Sequence, residues 1–195
     1  MTNPILVLTA FDRSSGTGRE QSRAIIAGYL SVPADHIHLT RTDTGKPVVR
    51  DFSGIHIGIS HSRDILAVYI GSEEAGVDVE YIRARTYMDD MARIICTDTE
   101  FRLFEAAGPD TMRVFYGFWT QKEAELKKSG GTLSDLFAKH AATRSSYRFW
   151  QISGDYMVCM ASSQSTLDSL SIESRLSASV SVSSTDPFAA VSGKI

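Results

Sequence analysis

The stretch "GVDVE" (residues 76–80) threads two acids, Asp78 and Glu80, through Val77 and Val79. Side chains alternate across a strand, so both carboxylates share one face, with Cα atoms roughly 6.5–7 Å apart. Like charges side by side repel unless something positive stands between them. Two readings satisfy that condition. One is an edge strand with a solvated face; the other is a hard divalent cation such as Mg2+, which takes oxygen ligands.

A second chemical signal lies in "FWTQKEAELKK" (residues 118–128). Glu123 and Lys127 are four apart, neighbours on a helix face with acid before base. Lys122 and Lys128 are close by, and Trp119, four before Glu123, can anchor that face. Alone, such a pair describes a solvated salt-bridge ladder. The aromatic crowding of "VFYGFW" just upstream instead implies a helix packed on more than one side. Two small upstream segments suit an anion: "GKP" with Lys46, and "SHS" (residues 60–62) with Ser60 and His61 at the expected tip of a hairpin. His36, His38 and His56 have no carboxylate or Cys at ligand spacing and read as strand residues. A Ser-His-Asp order, a Walker loop and a GxGxxG fingerprint are all missing from the sequence.

The elements that must position these groups emerge from hydrophobic periodicity. "ILVLTAF" (5–11) reads as a strand and residues 18–32 as a helix. Residues 36–42 alternate as a strand, and "DTGKPVV" is a turn by its Gly and Pro. Residues 54–60 and 64–71 are strand-like runs joined by "HSR", a hairpin. The period then changes. Residues 86–96 are amphipathic, "TDTEFRLFEAAG" opens with a helix cap, and residues 110–131 form the longest helical pattern, closed by Gly130 and Gly131. Residues 146–161 return to strands. "ISHSRDILAVYIG" is echoed by "ISGDYMVCMA", which suggests duplicated α/β lobes with the site in the cleft between them. From Ser162 the chain becomes serine-rich. "LDSLSIESRL" can supply a last strand, and most of the remaining C-terminal segment reads as a loosely held tail.

The 195 residues, 43% hydrophobic and 22% charged, suffice for a real core. The net charge of -3 argues against a general nucleic-acid or membrane binder, so an anionic partner needs a local basic cluster. Two distant cysteines, Cys96 and Cys159, suggest a reducing compartment and no zinc site. The N-terminus has no basic leader and no apolar run reaches membrane-spanning length, so the expectation is a cytoplasmic protein.

In order, "GKP", "ISHS", "GVDVE" and "FWTQKEAELKK" resemble the motifs of the 4′-phosphopantetheinyl transferases, in particular the surfactin-type monomeric branch. The signature is Gly-hydrophobic-Asp, a long spacer, then aromatic, small polar, any residue, Lys-Glu, and Lys four after the Glu. Asp78, Trp119, Thr120, Lys122, Glu123 and Lys127 fit it.

The resemblance implies an α/β (α+β by stricter usage) fold of two similar lobes related by a pseudo-twofold. Residues 1–75 would form the nucleotide-side lobe and 76–161 the metal-site lobe, with 162–195 a last strand and tail. It implies Mg2+-dependent transfer of the phosphopantetheine arm of coenzyme A to a serine of an acyl, aryl or peptidyl carrier protein, releasing adenosine 3′,5′-bisphosphate; Mn2+ is an alternative metal. Asp78, Glu80 and Glu123 would hold the metal. Glu123 would be the general base, with Glu80 the second choice, and Lys127 would neutralise phosphate charge. Lys46, Ser60, His61, Lys122 and Arg23 would contact the nucleotide. An acidic carrier would dock on Arg83, Arg85 and Arg93. Two other classes stay open: a non-catalytic coenzyme A or nucleotide binder, and a metal-dependent pyrophosphate hydrolase. The family's extra basic residue after the signature helix has no counterpart in "SGGTLS".

Overall fold

The computed structural model describes residues 3–12, 18–132, 134–135 and 145–193. Met1 and Thr2, Leu133 in "SGGTLS", and the last two residues of the serine-rich tail lie outside the described residues.

Strand β1 (Ile5–Ala10), with β4 (His56–Ser62), β5 (Ile65–Gly71) and β9 (Ser171–Arg175), forms one sheet in the order β4-β5-β1-β9. A second sheet has the order β10-β7-β8-β6, from β6 (Gly76–Tyr81), β7 (Ser146–Ile152), β8 (Tyr156–Ser162) and β10 (Val182–Thr185). A two-stranded piece pairs β2 (Leu39–Arg41) with β3 (Pro47–Val49). Helices among the described residues include α1 (Gly18–Leu30), α2 (Met88–Ile95), α3 (Asp98–Glu105), α4 (Thr111–Ser129) and α5 (Gln164–Ser169). The protein is thus a mixed α/β fold.

Alternation within the strands explains the layering. Leu6, Leu8, Ala67 and Tyr69 turn from the first sheet toward Val77, Val79, Trp150, Val158 and Met160 of the second, forming one shared apolar core. The intervening Val7, Leu66, Val68 and Ile70 face α1 through Ile25, Ile26 and Ala27. On the far side of the second sheet, Met157, Cys159 and Ala161 meet α2, α3 and α4. Strands with both faces covered lose the polar alternation of a half-solvated sheet, hence the continuous apolar run of β5. The interior between the sheets is therefore packed rather than a cleft, and the acids lie at its margin.

Several local expectations hold. The Thr97 capping box opens α3, with Thr97 and Glu100 each accepting the other's backbone N–H. Gly130, at φ 72°, ends α4 in the left-handed region. Both echoed segments are hairpins, β4–β5 and β7–β8. The "SHS" segment differs from expectation: residues 60–62 belong to β4 itself, not to a loop tip.

The tail supplies the expected last strand, β9, in "LDSLSIESRL", and differs from a loosely held segment beyond it. Strand β9 pairs parallel to β1, and β10 pairs antiparallel to β7, so the C-terminal segment spans both sheets. Phe188 then stacks on Phe118 at 4.5 Å and meets Phe149 edge-on at 5.7 Å, while Val191 is fully buried. Gly117 of α4 admits this strap, since a Cβ there would come within 2.8 Å of Pro187. Because Phe188 is only half-buried, Phe188→Ala should cost about 2 kcal/mol, below the 3–5 of a fully buried Phe, and lower Tm by roughly 4–8 °C. An unchanged melting curve would mean the strap is not holding α4.

Candidate active site

The site is built where an edge strand of each sheet meets the other. In an antiparallel edge strand alternate backbone N–H groups point away from the partner and need acceptors. Strand β6 is such an edge, and two serines of β4 serve it. Ser60 Oγ accepts the Val79 N–H at 3.2 Å, and Ser62 Oγ accepts the Tyr81 N–H at 3.0 Å. Each hydroxyl then donates to the adjacent carboxylate, Ser60 to Asp78 Oδ1 at 2.9 Å and Ser62 to Glu80 Oε2 at 3.2 Å. Two residues apart on β4 thus match two residues apart on β6. Ser62 is the member of this pair that motif reading did not single out; its two-residue offset from Ser60 was the available signal.

Helix α4 lies directly over β6. A Cβ on Gly76 would stand 1.8 Å from the Ala124 carbonyl oxygen and 2.6 Å from the Lys128 nitrogen, so only glycine permits this approach. The helix segment pressed down there carries Glu123 and Lys127. Lys127 Nζ donates to Asp78 Oδ1 at 2.6 Å and to Ser60 Oγ at 3.0 Å. Asp78 Oδ2 is buried with no hydrogen-bond partner.

The electrostatics tie the acids together. Glu123 is raised above the ordinary carboxylate value by burial first and by the Asp78 charge next, with Lys127 opposing. Glu80 is raised likewise by burial and then Asp78, offset by the Ser62 hydrogen bond, Arg85 and Trp119. The Trp119 indole N–H is buried near Glu80 without closing a hydrogen bond, so its influence there is weak. Asp78 is the common neighbour of both glutamates. Among the described residues no three His, Cys, Asp or Glu side chains already form a metal-binding cluster. The donor set nonetheless suits a hard cation: an orphaned buried carboxylate oxygen, and two nearby glutamates whose charged forms are disfavoured for want of positive charge.

Other expected site residues are engaged elsewhere. Lys122 donates to both Glu100 oxygens, at 3.1 and 2.9 Å, turning to the α3 cap rather than toward Asp78. Lys46 donates to Glu74 at 3.1 Å and to the Lys128 carbonyl at 2.7 Å, which secures the end of α4. Ser60 is buried in the seam between β4 and β6. His61, on the opposite face of β4 from Ser60 and Ser62, is exposed and stacks on Phe11 at 4.5 Å. Arg23 donates to the Ala34 carbonyl and to Glu20. Arg85 donates to the Tyr116 hydroxyl, Arg93 lies over the Phe101 ring, and Arg83 is exposed. Both cysteines are buried, and burial pushes the Cys159 thiol well up, which leaves it inert.

Glu123 supplies a test of this electrostatic arrangement. Its folded pKa lies above the unfolded one, so the stability it contributes is full at low pH and is lost as pH rises through the folded value. Glu123→Gln, with divalent cations chelated, should therefore raise Tm at neutral pH by on the order of 2 °C. The gain should vanish below the ordinary carboxylate range, where the wild-type group is protonated too. A neutral-pH Tm equal to or below wild type would contradict the buried like-charge cluster.

A family model described as the 4′-phosphopantetheinyl transferase superfamily matches residues 74–168. Over that span, just under half of the chain, the sequence is similar to this superfamily. Asp78, Glu123 and Lys127 of the transferase signature, and Glu80, all fall inside it, whereas Arg23, Lys46, Ser60 and His61 precede it. The chain is similar to the 4′-phosphopantetheinyl transferase HetI of Nostoc sp., 30% identical over 125 residues, which is 61% of this chain and 52% of that protein. It is also similar to AcpT of Escherichia coli K12, 29% identical over 64% of this chain and 63% of that protein. Sfp of Bacillus subtilis is 26% identical over 57% of this chain and 50% of its own length. The chain thus spans about half to three-fifths of these relatives. No helix among the described residues is long and apolar enough to cross a membrane.

Proposed function

We propose that this protein transfers the 4′-phosphopantetheine arm of coenzyme A to the serine hydroxyl of an apo carrier protein and releases adenosine 3′,5′-bisphosphate. The observation that carries the reading is Lys127 of α4 bonded to Asp78 of β6 with Glu123 beside them, all within the superfamily span. We further propose that the two sheets with their helices are halves related by a pseudo-twofold, that the protein acts as a monomer, and that it works in the cytoplasm, where its buried thiols stay reduced.

Asp78, Glu80 and Glu123 would hold Mg2+, or Mn2+, through carboxylate oxygens. Bound there, the cation supplies positive charge to the oxygens of the coenzyme A pyrophosphate. Asp78 and Glu80 keep fixed positions because Ser60 and Ser62 hold them to β4. Glu123 accepts the carrier serine's proton as general base, with Glu80 the second choice. The serine oxygen forms a bond to the phosphorus that bears pantetheine. The bond from that phosphorus to the bridging oxygen breaks, and the electron pair leaves on the bisphosphate. Lys127 stabilises charge on the departing phosphate oxygens.

His61 is our nucleotide contact on the first sheet. Lys46, Lys122, Ser60 and Arg23, being engaged within the protein, would shape the nucleotide side by holding the elements around it. Arg83, Arg85 and Arg93 are proposed to meet the acidic carrier.

The test is to incubate the protein with coenzyme A, Mg2+ and a panel of apo carriers, then weigh the carriers intact. A gain of one phosphopantetheinyl group on the carrier serine supports transfer. Bisphosphate release without that gain indicates hydrolysis, and coenzyme A binding without either product indicates a binding protein; both overturn the proposal.

A further inference from the structure

We propose that Lys127 is an exchangeable counter-ion of Asp78, displaced by the divalent cation and so setting the protein's metal affinity. This rests on the metal-dependent reading above. Three observations support it. The Lys127 ammonium holds Asp78 Oδ1 at 2.6 Å, so a cation on the same carboxylate meets a full positive charge beside it. The two partners differ in freedom. The Asp78 side chain is 5% exposed and tied to Ser60, whereas Lys127 is 35% exposed, a flexible stem that can swing outward without repacking the core.

The third observation concerns what departure leaves behind. Ser60 Oγ donates to Asp78 and accepts from Val79 N–H and Lys127, using its one proton and both lone pairs. When Lys127 leaves, the serine loses one acceptor contact and no donor is left unpaired in the protein, since the ammonium moves to water or substrate. The exchange is therefore cheap for the protein and neutralises Asp78 in either state. It also delivers the ammonium to the phosphate side only once the cation has taken its place.

Mn2+ binding to the protein without coenzyme A, followed by electron paramagnetic resonance, tests this with metal alone. Lys127→Met should tighten Mn2+ binding about tenfold or more, ~1.4 kcal/mol. Lys128→Met removes an equal charge from the next residue, whose ammonium bonds Ser145 instead, and should change affinity far less. Equal or weaker Mn2+ binding by Lys127→Met, or the same gain from Lys128→Met, overturns the proposal.

A wild-type measurement guards against a misfolded variant. Acetylation of Lys127, read by peptide mass, should accelerate several-fold as Mn2+ saturates, and an unchanged or slower rate overturns the exchange. If wild type transfers phosphopantetheine yet shows neither effect, only this inference fails. If wild type neither binds Mn2+ nor transfers, the functional reading fails with it.

Discussion

Asp78→Ala is expected to abolish measurable transfer while leaving the protein folded. The fall should be at least 10²–10³-fold, the scale seen when one electrostatic partner of a transition state is removed. Asp78 is the hub: Ser60 and Lys127 both bond it, and after burial its charge is the next cause of the raised pKa at Glu80 and at Glu123. Its loss would take away the central carboxylate of the proposed metal site. Removing one member of a fully buried ion pair costs about 3–5 kcal/mol, because the other charge is stranded. Here the stranded charge is Lys127, one-third exposed, which returns to water. Activity and stability should therefore separate: carrier mass gain disappears, and the thermal transition stays cooperative. Full transfer activity in this variant would remove Asp78 from the machinery.

Gly76→Ala should lose both activity and stability, although it adds only a single methyl group. The atoms in the way are backbone, the Ala124 carbonyl at 1.8 Å and the Lys128 nitrogen at 2.6 Å, which cannot turn aside as a side chain would. Helix α4 must lift, against buried Tyr116, Thr120 and Ala124 along its length. Overpacking of this kind costs 1–3 kcal/mol and occasionally more, and rigid backbone neighbours put this position at about 3 or above. Tm should fall by roughly 6–12 °C. Glu123 and Lys127 ride on the displaced segment, and a misplacement of about 1 Å costs on the order of 10²-fold in rate. A variant with wild-type Tm and turnover would show that α4 does not rest on β6 as described.

Local periodicity made part of this site readable in the chain alone. Alternation across a strand puts Asp78 and Glu80 on one face, and four-residue spacing puts Glu123 beside Lys127, because both relations depend only on backbone repeat. The Thr97 cap and the Gly130 stop were likewise legible, being backbone requirements met by neighbouring residues. The ends of long side chains were not. Lys122 reaches Glu100, 22 positions away, and Lys46 reaches the Lys128 carbonyl, 82 away. Nothing in the spacing of either lysine distinguishes such a partner from a phosphate.

Within the serine-rich tail, "LDSLSIESRL" was legible as the strand β9, but the pairing beyond it was not, for a related reason. Strands β9 and β10 are held largely by backbone hydrogen bonds at sheet edges, with mostly solvent-facing side chains, so they carry little hydrophobic pattern. Backbone pairing is nearly blind to residue type, and the buried contact is marked by a few scattered apolar residues, Leu176, Val180, Val182, Pro187, Phe188 and Val191 among them. Sequence alone determined which side chains travel together on one face of a strand or helix. Tertiary structure decided which faces meet, since that depends on how two sheets share a core and on a glycine that lets a helix come close enough to bring a lysine onto an aspartate.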